Sequence, residues 1–231
     1  VPYNTMFDYF NKPELIPLLS DLITLTSLPL RNIEKDFCID ATGFGTNQFQ
    51  RWFSFKHGRE INSRKWVKCH FIAGTQSNVI CSAKITSEFD NDCPQLKELV
   101  EKTKEFFDMQ ELSGDKAYLS RANLELLEES GTKAFIPFKS NNTPNKKGAV
   151  WKKLYHFFCL HQDEFMQNYH KRSNAESSVF MIKKKFGSSV RSKNWTSQVN
   201  ETLCKVIAHN ICCCIMEMHT LGIVPNFEVK I

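Results

Sequence analysis

The sequence lacks the features that mark several classes of protein. Its nine cysteines include no C-x-x-C pair, so neither a zinc ribbon nor a regular disulfide framework is indicated. It has only 9 glycines and 8 prolines, too few to suggest disorder. The apolar run ICCCIM stops at Glu217, far short of the about 20 residues that cross a bilayer. We therefore expect a globular protein in a reducing compartment, with no membrane segment.

What is present fits one globular core. The chain has 231 residues, of which 42% are hydrophobic and 24% charged, enough to bury a core without disulfides. Cys212, Cys213 and Cys214 lie between His209 and His219, which raises the possibility of a metal site. Adjacent residues of a helix point in different directions, so we interpret these cysteines as small apolar core residues.

The positive charge is concentrated in one segment. Residues 139–193 hold 12 Lys and Arg against Asp163, Glu164 and Glu176, whereas the whole chain has a net charge of only +5. Clustered cations release counterions when they meet phosphates, so this segment indicates a polyanionic partner. A solvated basic surface is the alternative.

The hydrophobic periodicity changes along the chain. Before residue 31 it predicts a helical lead-in, 1–30, and after residue 221 it predicts a tail, 222–231. Between them we expect three consecutive strands at 35–44, 66–74 and 79–88. A helix over 92–107 with Asp92 as N-cap should follow, then a weak strand that begins at 109 and ends at Gly114-Asp115, a helix over 121–131 and a strand over 133–139. Helices close the chain at 149–168, 173–186 and 197–221.

This order predicts an α/β fold: a mixed sheet, with three antiparallel strands and then strands alternating with helices, flanked by helices on both faces. The ribonuclease H-like fold has this layout. The main domain should span 31–221.

Three acids stand where such a fold would bring them together. Asp40 ends the first strand, Asp115 follows a later strand, and Glu176 lies on a closing helix. Converging carboxylates repel one another unless a cation lies among them, and Mg²⁺ or Mn²⁺ suits oxygen ligands. Two such ions about 4 Å apart would support phosphoryl transfer.

Each acid also has a structural interpretation. Asp40 and Asp115 are typical turn residues. Ser173 and Glu176 fit a capping box, in which the carboxylate returns to the N-cap amide. Asp90 and Asp92 compete with Asp115 for the second position, but they lie where a helix cap is needed.

The stretch YHKRSNAESSVFMIKKKF, 169–186, holds one acid among cations. If a single helix spans it, Tyr169, Arg172, Glu176 and Lys183 lie within about 60° of one another on one face. Such a stripe combines a metal ligand with cations that grip DNA phosphates and a tyrosine that stacks or donates. If the capping box forms instead, the helix starts at Ser173, and Tyr169 and Arg172 leave the stripe.

At this point the sequence resembles the DDE-class insertion-sequence transposases of bacteria and archaea. Tyr169-x2-Arg172-x3-Glu176-x6-Lys183 matches the signature of one group of these enzymes. The resemblance extends to CIDATGF around Asp40, GDKAYLSRANLELLEESGTKAFIPFKS around Asp115 and NETLCKVIAHNI after Glu176, so that it covers roughly residues 35–215.

The resemblance implies a ribonuclease H-like catalytic core with Asp40, Asp115 and Glu176 as metal ligands. Water would cut the transposon end, and the 3′-hydroxyl would attack target DNA, with a homodimer on the DNA. Tyr169, Arg172 and Lys183 would position the end phosphates, to which we add Lys116. We expect the cytoplasm of a bacterial or archaeal cell, at the nucleoid.

Two features depart from the resemblance. Only 60 residues separate Asp115 from Glu176, too few for the β-rich insertion that some relatives carry. The segment before residue 31 is too short for a domain that reads the transposon ends, so we expect such a domain upstream of Val1 or reading by the basic segment. A catalytically inactive DNA-binding descendant and a ribonuclease H-type nuclease or resolvase are the alternatives.

Overall fold

A mixed sheet lies at the centre of the computed structural model, which describes residues 2–46, 56, 58, 65–144 and 148–227. Its strands are β1 (Asp36–Gly45), β2 (Trp66–Gly74), β3 (Ile80–Ser87), β4 (Glu111–Gly114) and β5 (Lys133–Phe135). Within the described residues they form a five-stranded sheet in the order β3-β2-β1-β4-β5. β1, β2 and β3 are antiparallel, and β4 and β5 run parallel to β1. This confirms the predicted mixed α/β sheet.

Helices connect and cover these strands. They are α1 (Tyr3–Phe10), α2 (Leu15–Ser27), α3 (Leu96–Lys104), α4 (Arg121–Glu129), α5 (Gly148–Leu160), α6 (Gln162–Tyr169), α7 (Ser173–Phe186) and α8 (Trp195–Leu221). Short 3₁₀ turns lie at Leu28–Leu30, Cys93–Gln95, Lys116–Tyr118 and His170–Arg172. Side-chain caps fix two of the helix starts: Ser120 accepts the Asn123 N–H at 3.1 Å, and Asn194 accepts the Ser197 N–H at 2.9 Å.

The helices bury both faces of the sheet. On one face Ile39 and Ile72 pack with Leu96 of α3, Leu124 of α4 and other apolar side chains. On the other face Cys38 and Phe71 belong to a second cluster with residues of α2, α7 and α8, which are Leu19, Ile23, Ala175, Ile182, Val199, Leu203 and Val206. Cys213 and Cys214 are buried, as the core interpretation predicts, whereas Cys212 is only partly buried. The site described below lies at the edge of the sheet between these two layers.

Three sequence predictions need correction. The helix predicted over 149–168 is broken at His161, whose φ of −121° and ψ of 50° separate α5 from α6. The strand predicted over 133–139 ends at Phe135. Asp92 makes no side-chain cap hydrogen bond, because its carboxylate contacts Lys68 and His70 instead. The predicted tail is described only over 222–227; the rest lies outside the described residues.

No helix among the described residues has the length and apolar character needed to cross a membrane.

Candidate active site

The register of the sheet brings the first two acids together. Ile39 on β1 and Gly114 on β4 form the last pair of the parallel ladder, and Asp40 and Asp115 come directly after them. The carboxyl ends of parallel strands meet at one edge of a sheet, which is where ligands bind in open α/β folds. β1 continues to Gly45 alongside β2, so the last residues of β1 extend beyond the end of β4.

Local geometry orients both carboxylates. A Cβ on Gly114 would lie 2.7 Å from Ile39 Cγ2, so a side chain there would push the two strands apart. Asp115 Oδ1 accepts the Lys116 N–H at 2.6 Å and caps the following 3₁₀ turn. Asp40 Oδ1 accepts the Ala41 N–H at 2.9 Å. Asp115 is therefore a turn residue after β4, but the prediction that Asp40 ends the first strand is wrong, because Asp40 lies inside β1, which stays paired with β2 up to Gly45. In each aspartate one oxygen accepts a backbone N–H, which leaves the second oxygen to face a ligand.

Arg172 contacts both Glu176, the third acid, and Asp40, the first. Arg172 Nη1 donates to Glu176 Oε1 at 3.1 Å, and Arg172 Nη2 lies 3.4 Å from Asp40 Oδ2. α7 begins at Ser173, as the capping box predicts, but the box itself does not form. The N-cap position is Arg172, in the α-helical conformation and without a side-chain cap bond. The turn His170–Arg172 keeps the backbone helical from α6 into α7, and Arg172 and Glu176 remain on one face.

The electrostatics of the site leave negative charge unbalanced. Burial raises the pKa of the Asp40 carboxyl, and the charges of Asp115 and Glu176 raise it further, although the Ala41 N–H and Arg172 lower it. Burial disfavours the charge on Arg172, but nearby negative groups, led by Asp40, outweigh this and raise its pKa. The guanidinium therefore lies in the field of all three acids.

No three His, Cys, Asp or Glu side chains in the described part of the chain lie close enough to hold a metal ion. Arg172 instead contacts both Asp40 and Glu176. The donors nevertheless suit a hard divalent cation: they are carboxylate oxygens at one sheet edge, and their charge exceeds that of one guanidinium.

The remaining predicted DNA contacts lie on three elements, with Tyr169 on α6, Lys183 on α7 and Lys116 in the 3₁₀ turn after Asp115. The Tyr169 ring stacks on Phe165 with centroids 6.5 Å apart. Lys183 Nζ lies 5.6 Å from the centre of the Phe44 ring, further along β1, where burial lowers its pKa. Lys116 is exposed beside Asp115. The 3₁₀ turn His170–Arg172 separates Tyr169 on α6 from Lys183 on α7, so no single α-helix carries the predicted stripe.

The rival acids have other partners. Asp90 Oδ2 accepts the Ser87 N–H at 2.9 Å and the Ser87 hydroxyl at 2.7 Å, and these bonds lower its pKa. Asp92 lies 2.6 Å from Lys68 Nζ and 3.3 Å from His70 Nδ1. Both acids therefore serve local contacts of β2 and β3.

Sequence reasoning missed Lys171. Its ammonium donates to Asp36 Oδ2 at 2.8 Å and to Glu111 Oε2 at 2.7 Å. Asp36 and Glu111 are paired across β1 and β4, so one side chain ties the turn before α7 to both strands that carry acids. A lysine next to an arginine gives no signal of this, since the contact joins residues far apart in sequence.

Comparison with known protein families identifies the family of this chain. The family described as Transposase DDE domain matches residues 32–211. This range includes Asp40, Asp115 and Glu176, the sheet that holds the first two, and the helix that carries the third. The chain therefore belongs to the Transposase DDE domain family.

Proposed function

We propose that this chain is the catalytic domain of a DNA transposase, with metal-dependent phosphodiester hydrolysis and strand transfer at transposon ends as its reactions. One observation carries the proposal: Asp40 and Glu176, far apart in sequence, meet on one guanidinium beside Asp115 at the carboxyl edge of the sheet. Membership of the Transposase DDE domain family supports it.

In this proposal Asp40, Asp115 and Glu176 hold Mg²⁺ or Mn²⁺, as two ions. Bound there, the ions would activate water or a 3′-hydroxyl and stabilise the leaving oxygen of an in-line displacement. The protein's own contribution is orientation: the Ala41 and Lys116 N–H groups fix one oxygen of each aspartate, and Lys171 fixes the turn that leads to Glu176.

Arg172 and Lys183 would bind phosphates of the transposon end, with Tyr169 stacking or donating nearby and Lys116 contacting the strand beside Asp115. The strand order supports a ribonuclease H-like catalytic unit over 31–221, with the lead-in 1–30 and the tail 222–231 outside it. We further propose a homodimer on DNA, in the cytoplasm of a bacterial or archaeal cell at the nucleoid.

A cleavage assay tests this function. With Mg²⁺ or Mn²⁺ and DNA carrying the ends of the cognate element, the protein should nick at those ends and join them to target DNA. Asp40→Asn and Glu176→Gln should bind the same DNA without cutting it. Cutting retained in both variants would overturn the assignment, and cutting without joining would indicate a nuclease.

A catalytically inactive, transposase-derived DNA-binding protein is the alternative. The observation that favours it is that the carboxylates are held by Arg172 rather than gathered into a metal cluster within the described residues. Salt-dependent DNA binding without cleavage under any metal would support it.

A further inference from the structure

We propose that Arg172 is a placeholder cation, which occupies the acids in the DNA-free protein and releases them when it binds a DNA phosphate. Through this one side chain, DNA binding would make metal binding tighter, and metal binding would make DNA binding tighter. The inference rests on the proposed function, in which the same acids are metal ligands, and it adds how their loading is controlled.

The contacts of Arg172 support this role. Its two terminal nitrogens lie 3.1 Å from Glu176 Oε1 and 3.4 Å from Asp40 Oδ2, so one guanidinium spans the first and third acids. The negative charge of Asp115 also raises its pKa. Since a guanidinium stays charged at every physiological pH, these acids have a permanent internal counter-ion.

This counter-ion is incompatible with a bound metal. Mg²⁺ takes its oxygen ligands at about 2.0–2.1 Å, whereas the guanidinium holds two of these oxygens more than 3 Å from its nitrogens. An ion bound by both oxygens would have to displace the guanidinium that now contacts both of them.

Two features of Arg172 favour its release from the acids. Its Nε is buried without a hydrogen-bond partner, and the contact to Asp40 is long for a charged pair. A phosphate offers two oxygens to the guanidinium fork in parallel, with shorter and stronger hydrogen bonds. DNA at the sheet edge would therefore compete well for this side chain.

The helix that carries Glu176 does not depend on the arginine. Lys171 binds Asp36 at 2.8 Å and Glu111 at 2.7 Å and anchors the same turn separately. The Glu176 side chain is 66% exposed, so it can rotate without disturbing the core. The release of Arg172 thus frees two carboxylates while α7 stays in place.

Coupling through one group must be reciprocal. A titration with Mn²⁺ measures this coupling without any DNA cleavage, because the electron paramagnetic resonance signal reports the concentration of the unbound ion. The probes are Mn²⁺ alone and Mn²⁺ with a saturating short DNA duplex at low salt. In the unsubstituted protein the duplex should tighten Mn²⁺ binding by about tenfold or more.

Arg172→Gln should bind Mn²⁺ tightly without DNA and gain less than about twofold from the duplex. Lys184→Gln is the matched control, because it removes an exposed charge from α7 but leaves Arg172 in place; its gain should stay as in the unsubstituted protein. Arg172→Lys, which keeps a charge but has no fork to span two acids, should give an intermediate gain. Circular dichroism checks that each variant is folded.

The inference is overturned if Arg172→Gln binds Mn²⁺ no more tightly than the unsubstituted protein and keeps the full gain from DNA. A gain lost equally in Lys184→Gln would also overturn it, since general charge would then explain the coupling. Failure of the proposed function looks different: Asp40→Asn would leave Mn²⁺ binding unchanged with and without DNA.

Discussion

Two neighbouring residues of one turn, Lys171 and Arg172, each bind two carboxylates, and the two clusters differ in kind. The Lys171 cluster, with Asp36 and Glu111, lies where β1 and β4 begin, and its distances are 2.8 and 2.7 Å. The Arg172 cluster, with Asp40 and Glu176, lies where the β1–β4 ladder ends, and its distances are 3.4 and 3.1 Å.

The difference separates a cluster that ties two strands together from the cluster that we propose as the active site. In the Lys171 cluster the two acids are direct neighbours across the strands. Burial disfavours the lysine charge, but its hydrogen bonds to both acids outweigh this and raise its pKa. The Arg172 cluster has a third acid nearby, a largely exposed Glu176 and an Asp40 whose pKa is raised by burial and by like charges. Unbalanced negative charge at a sheet edge favours binding of a further cation.

Replacing one acid from each end of the strands should give the largest contrast. Asp115→Asn removes a proposed metal ligand, so DNA cleavage should fall by about 10³-fold or more. Asp36→Asn keeps an oxygen for Lys171 and should leave cleavage within about threefold of the starting rate. A gel assay of end cleavage measures both. Equal losses would show that the Asp36 end is also part of the active site.

His70 on β2, which is buried beside Asp92, extends the comparison to pH. Burial lowers the pKa of His70 to about 4, while the unfolded chain takes up the proton near the ordinary value of about 6.5. Because the folded protein keeps His70 neutral, the contribution of His70 to the free energy of unfolding is complete above pH 6.5 and is lost as the pH falls towards 4. The loss should be about 3 kcal/mol at most.

Urea denaturation at several pH values checks this loss. His70→Gln keeps a polar partner for the Thr86 hydroxyl, which lies 2.8 Å from His70 Nε2, but it cannot titrate, so its profile should be flatter between pH 6.5 and 4. An unchanged profile would assign the pH dependence to other groups.

Removing each cation in turn should separate the two clusters by stability. Lys171→Met leaves two partly buried acids facing each other and should cost about 1–2 kcal/mol of unfolding free energy. Arg172→Met should cost less than about 1 kcal/mol, because Glu176 can turn into water. Urea midpoints compare the two. A greater cost for Arg172→Met would make it the structural cation.

The smallest expected effect concerns DNA binding. Lys183→Gln should weaken binding to any sequence and reduce the slope of log affinity against log salt by about one unit, if its ammonium contacts a phosphate. Lys102→Gln is the control, since Lys102 lies on α3 and pairs with Asp21. The same slope in Lys183→Gln as in the unsubstituted protein would make Lys183 a packing residue on Phe44.

Local patterns predicted the elements well where their causes are local. α7 has the predicted bounds, and β2 begins and ends as expected, because apolar spacing and turn residues act over a few positions. The long helix of 149–168 failed at His161, whose conformation breaks the backbone without a Gly or Pro to signal it. The cap predicted at Asp92 failed because two side chains of β2 bind that carboxylate instead.

The sequence by itself determined the kinds of element, their order and the spacing that matches the transposase signature, since these depend on neighbouring residues. Only the tertiary structure decided that Asp115, and not Asp90 or Asp92, stands beside Asp40, because that depends on the parallel register of strands more than 70 residues apart. It also decided that Lys171 and Arg172 contact acids at opposite ends of the β1–β4 ladder. A chain encodes such contacts only through its whole fold, since no local period relates the residues that meet.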